Sequence, residues 1–177
     1  MADIKQDISS YSLPERKTEE KKDKMRIICF SGDMDKAFAV LTLASTAASL
    51  GMDVAIFFTF WGLSLIKKNR KLKGKNFLQK MMDIMMPSGL DSLKLSKMNM
   101  AGLGPFFMKI LMKKTKSPDL KDLFEAAKES GVKFYACSTS CSILGIDRSE
   151  FVDEVEEIVG AATFISEAKD AKISLFI

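Results

Sequence analysis

The apolar pattern begins abruptly at Met25. Before it, residues 1–24 mix charges with few large apolar side chains and read as a flexible tail. MRIICF, Met25–Phe30, is then a short β-rich apolar run of the kind found in buried parallel strands. In MDKAFAVLTLASTAASLG, Ala37, Leu41, Ala44 and Ala48 recur at helical spacing. That stretch predicts a helix capped by Ser31 or Asp33 and stopped at Gly51. DVAIFFTF predicts a second strand and WGLSLIKKN a short helix. Strand–helix–strand–helix order marks an α/β fold with a parallel sheet and right-handed crossovers.

Between Lys71 and Met112 the rhythm breaks. This stretch holds eight of the twelve methionines together with Pro87, Gly89, Gly102, Gly104 and Pro105, and predicts inserted short helices and loops. Regular periodicity returns in LKDLFEAAKESG, with Leu120, Leu123, Phe124 and Ala127 on one face and Gly131 as the stop. VKFYAC predicts a third strand and STSCSILG a short helix. SEFVDEVEEIVG predicts a helix and a brief fourth strand, AATFISEAKD a helix, and KISLFI a fifth strand. No internal repeat is visible.

A chain of 177 residues fits one domain, residues 25–177, behind the tail. Such a chain buries roughly 70% of its extended surface. Three cysteines, Cys29, Cys137 and Cys141, do not describe a secreted disulfide framework. No apolar leader and no run of membrane-spanning length is visible, so the expected compartment is the cytoplasm. The chain has no histidine, which removes Ser–His and Cys–His pairs and imidazole metal ligands. No metal and no organic cofactor is expected. A net charge of +4 is too small to argue for nucleic acid. The basic run Lys67, Lys68, Arg70, Lys71, Lys73 and Lys75 reads as a solvated loop or a docking site for an acidic partner. AGLGPFFMKILMKK is apolar with a basic end. It reads first as plastic core or subunit contact, with a membrane surface as the lesser alternative.

The chemistry concentrates in FYACSTSCSILGI, Phe134–Ile146. Cys137 follows the third strand directly, and Ser138, Thr139 and Ser140 are all good helix-starting residues. A thiol there meets unpaired backbone N–H groups, which favour the thiolate. The competing reading is a buried structural thiol. The i,i+4 spacing would put Cys141 on the same helix face, where it is either a small core residue or a second thiol. Cys29 reads as core. FSGDMDK places Ser31, Gly32 and Asp33 at the same sheet edge, as helix caps or an anion cradle. FTFWG brings Trp61 and Gly62 there, as packing or as a pocket wall.

Three of these stretches together resemble the DsrE/DsrF-like family: FFTFWGL at Phe57–Leu63, SKMNMAGLGPFFMK at Ser96–Lys109 and ACSTSCSILGI at Ala136–Ile146. The nearest branch is the DsrE-like sulfur-transfer proteins, also labelled peroxiredoxin-like. The resemblance runs from about Met25 to Ile177. It implies a single five-stranded, mostly parallel sheet with helices on both faces and a methionine-rich helical insertion. It also implies homo-oligomers, protein donors and acceptors of sulfur, and a persulfide carried on Cys137. Cys141 stands where the branch's pattern, A-C-x-M-S-M-D-x-M-G-I, has another residue. That departure leaves a two-cysteine thiol–disulfide or peroxide reductase as a competitor; a non-catalytic interaction subunit whose methionine-rich face docks a partner is another.

Overall fold

The computed structural model describes residues 22–177; the tail expected over residues 1–24 falls almost wholly outside them. Five strands form one sheet: β1 (Lys24–Cys29), β2 (Asp53–Phe58), β3 (Lys133–Cys137), β4 (Val155–Val159) and β5 (Ile173–Phe176). Their order is β4-β3-β2-β1-β5 and every pairing is parallel. The chain steps from β1 to β4 in one direction and then returns across the sheet to β5. Right-handed crossovers in opposite directions put their helices on opposite faces.

The helices α1 (Met34–Ser49) and α4 (Leu120–Glu129) cover one face, and α6 (Ala161–Ala168) lies on the other. Alternation along β2 divides the core accordingly. Val54, Ile56 and Phe58 join the main cluster under α1 and α4. Ala55 and Phe57 join a smaller cluster with Cys137, Val159 and Phe164 of α6. The Phe57 and Phe164 rings stack with centroids 4.7 Å apart. The expected face of α4 is buried as Leu120, Leu123, Phe124 and Ala127, and its start is closed by a reciprocal Asp119–Asp122 capping box.

Several local expectations are corrected. Asp33 begins α1, but its carboxylate makes no cap bond to the helix and instead pairs with Lys36 at 3.0 Å. WGLSLIKKN forms a 3₁₀ turn over Phe60–Leu65 rather than an α-helix. Gly62 must come so close to β1 there that a Cβ would lie 2.1 Å from the Cys29 carbonyl oxygen. SEFVDEVEEIVG forms a single 3₁₀ turn, Arg148–Glu150, ahead of β4.

The insertion carries α2 (Phe77–Met85) and α3 (Leu103–Lys114). α2 is inside out. Phe77, Leu78, Met81, Ile84 and Met85 face solvent, while Asp83 is the buried residue. What holds this arrangement is a knot of four buried charges. Asp83 takes ion pairs from Lys67 and from Lys75 (3.1 Å), and Glu150 takes them from the same two lysines at 3.3 and 2.9 Å. Lys67 and Lys75, read from sequence as part of a solvated run, are therefore internal. Charges this deep persist only when paired and hydrogen-bonded.

Candidate functional site

The last residue of β3 is Cys137, and it is also the residue that starts α5 (Ser138–Leu144). The register pairs Phe58 with Ala136. One further step along the same register sets Thr59 beside Cys137, just beyond the end of the ladder. The Thr59 and Ser140 hydroxyls stand 2.8 Å apart. Ser140 is fully buried, so this contact fixes its side chain.

Two opposed effects act on the Cys137 thiol. Burial pushes its pKa up; the amide and hydroxyl of Ser140, the Thr59 hydroxyl and the Thr139 amide pull it down and prevail. The thiol lies below the ordinary cysteine range as a result. Sγ closes no regular side-chain cap on α5, so these donors act as a loose cradle. The residue is 5% exposed.

The other two thiols have no such cradle. Burial pushes Cys29 up to about 12. Burial, with the negative charges of Cys137 and Glu150 adding to it, pushes Cys141 up to about 12. All three cysteines are free. Cys137 and Cys141 do not share a face, because Cys137 belongs to the strand end rather than the helix. It packs under α6, whereas Cys141 packs into the main core.

The remaining residues singled out in the sequence fall into separate places. Thr139 and Ser140 gather around Cys137. Ser31, Gly32, Asp33 and Trp61 line a cleft of about 330 Å³ with Lys36 and Lys94. Gly32 permits it, since a Cβ there would lie 2.5 Å from the Trp61 carbonyl oxygen. The Lys36 ammonium in this cleft is already engaged by Asp33 and the Ser31 hydroxyl. Gly62 is buried beside Cys29 and lines neither the cleft nor the cradle. Ser138 and Cys141 line another cleft, about 560 Å³, with Lys73, Gln79 and Arg148. Thr59 is the residue that sequence reasoning missed. The signal available was its place at the end of β2, level with the cysteine ending β3. Among the described residues, no group of three or more Cys, Asp or Glu side chains is placed to hold a metal ion.

An all-parallel open sheet crossed on both faces by helices, with a buried cysteine at a strand end, defines a small α/β protein of the open-sheet class. The comparisons make the class specific: a profile of the DsrE/DsrF/DrsH-like family matches residues 21–176, and the chain belongs to that family. It is 41% identical over 159 residues to the uncharacterized protein YrkE of Bacillus subtilis (strain 168), covering 89% of this chain and 99% of that one. It is 37% identical over 158 residues to the sulfur carrier protein DsrE2 of Allochromatium vinosum, covering 87% and 98%. The crystal structure of the ychN protein from E. coli shares the fold with a TM-score of 0.53 at 14% identity, covering 88% of this chain and 99% of that one.

Proposed function

We propose that this protein is a sulfur-relay protein that carries sulfane sulfur as a persulfide on Cys137. The observation that carries the reading is the contrast among its three thiols. One sits beside two backbone amides and a linked pair of hydroxyls that favour its anion, and two are held protonated by burial. Membership of the DsrE/DsrF/DrsH-like family and similarity to a sulfur carrier protein support the same reading.

In the loading step, the Cys137 thiolate attacks the outer sulfur of a donor persulfide, R–S–SH. A new S–S bond forms, the donor thiolate R–S⁻ leaves, and Cys137 becomes Cys–S–SH. In unloading, an acceptor thiolate attacks that outer sulfur and the Cys137 thiolate leaves. The two exchanges are the same reaction in opposite directions, so no external oxidant or reductant enters. The Ser140 and Thr139 amides and the linked Thr59–Ser140 hydroxyl pair, which has one proton free to donate, stabilise the anion at each stage. Cys141 points from α5 into the main core as a protonated thiol and takes no part in the exchange.

Donor and acceptor are sulfur-bearing partner proteins or small sulfane-sulfur compounds. Self-association belongs to the same proposal. The outward apolar face of α2, beside α5, is the surface such a contact would cover. Incubation with polysulfide followed by mass spectrometry tests the relay: one added sulfur on the Cys137 peptide is expected, and none in Cys137→Ser. Sedimentation tests the assembly, and a monomer at micromolar concentration would contradict it.

A further inference from the structure

α3 shows its apolar side to solvent. Leu103, Phe106, Phe107, Ile110 and Leu111 fall within one arc of a helix that turns 100° per residue, and each is about half exposed. Pro105 and Met112 lie on the opposite side and face the protein. Met98 and Met100, still more exposed, extend the apolar surface just ahead of the helix. The Phe106 and Phe107 rings pack edge to face, with centroids 5.7 Å apart, as a projecting pair.

The charge carried by the segment that forms this face has one sign. Between Asp91 and Asp119 the chain has six lysines and no acid. Lys113 and Lys114 close the last turn of α3, and Lys116 follows; all three are exposed. Asp91, Asp119 and Asp122 line the cleft behind α3, with Lys109 and Lys113. They are already engaged there: Asp91 pairs with Lys121 at 2.7 Å, and Asp119 and Asp122 cap α4.

We infer that α3 is a docking surface for an anionic lipid bilayer, lying in the headgroup region with Phe106 and Phe107 inserted. Charge complementarity selects this occupant: an apolar stripe ending in a cluster of lysines matches acyl chains beneath acidic headgroups. A second copy fits less well, because the same segment of a partner brings six more lysines and no acid to answer them, whereas acidic headgroups supply that charge. At twelve residues α3 is too short to span the hydrocarbon layer, and no described helix is long and apolar enough to cross a membrane. The helix lies on the surface. This inference is independent of the chemistry at Cys137.

The test is co-sedimentation of the full chain with vesicles of phosphatidylcholine alone and of phosphatidylcholine mixed with phosphatidylglycerol. Binding to the mixed vesicles is expected, with release as salt rises. Replacing Lys113, Lys114 and Lys116 by Gln should weaken that binding roughly a hundredfold, from ~1 kcal/mol per cation near an anionic surface. Replacing Phe106 and Phe107 by Ser should weaken it at least about tenfold. The altered residues are exposed, so the variants should keep the wild-type circular dichroism. Binding equal on both vesicle types, no binding, or unchanged binding in the α3 variants would overturn the proposal. So would loss of self-association in the Phe106→Ser/Phe107→Ser protein with vesicle binding intact, which would assign the face to a second copy.

Discussion

Replacing Thr59 with valine separates the donor cradle from every other feature of the site. Valine keeps the shape of the side chain and removes its hydroxyl. A hydrogen bond to a charged partner contributes about 1.5–3 kcal/mol. Thr59 is half-buried and forms the hydroxyl side of the cradle jointly with Ser140, beside two amides, so the lower end of that range applies. Since 1.36 kcal/mol corresponds to one pKa unit, the thiolate fraction at neutral pH should fall about tenfold. The assay is the rate of alkylation at Cys137 by iodoacetamide across pH, read by peptide mass spectrometry. The profile should move to higher pH, with the plateau rate little changed. Ser140 also loses its 2.8 Å partner, so the folded protein should be about 1–3 kcal/mol less stable, and rates must be taken where it is still native. Thr139→Val is the control, because Thr139 acts through its amide, which valine retains. An unmoved profile in Thr59→Val, or an equal shift in Thr139→Val, would refute the cradle.

Two further predictions concern the frame around the site. Asp83→Asn should cost about 3–5 kcal/mol by urea denaturation, because it leaves two buried lysines sharing one carboxylate; a loss below 1 kcal/mol would contradict the buried knot. Burial raises the Asp83 carboxyl, but hydrogen bonds and charge from Lys67 and Lys75 outweigh it and hold the group below the ordinary carboxylate range. Its stabilisation is fully present above that range and is lost as pH falls below it through the lowered native value, so the acid limb of the stability curve should flatten in Asp83→Asn. Gly62→Ala should cost about 3 kcal/mol, since its Cβ would meet backbone rather than a movable side chain; a variant as stable as wild type would contradict the close approach.

The strands were legible because each is a short apolar run bounded by turn residues, and α1 and α4 because their buried faces recur at helical spacing. α2 was not legible in the same way. An apolar stripe at helical spacing is ordinarily the buried one, but here Asp83 is held inside by Lys67 and Lys75, which Glu150, far along the chain, also pairs. Periodicity shows that a helix has two faces; it does not show which faces inward when a charged knot competes with the core. The bend before α3 was hidden for another reason. Met98, Met100 and Ala101 take left-handed backbone conformations that nothing in their side chains favours. At the site, Cys137 was visible from its place after a strand. The separation of Cys141 from it was not, because i,i+4 spacing carries meaning only when both residues lie within the helix. Thr59 needed the register between β2 and β3, which is a property of the sheet.

Sulfur loading tests the central claim most directly. Wild-type protein and the single variants Cys29→Ser, Cys137→Ser and Cys141→Ser should be incubated with polysulfide at neutral pH and their intact masses measured. One sulfur atom should be gained by wild type, Cys29→Ser and Cys141→Ser and released by an acceptor thiol, with none gained by Cys137→Ser. Undiminished loading in Cys137→Ser, or loading that vanishes in Cys141→Ser, would contradict a relay built on the cradled thiol.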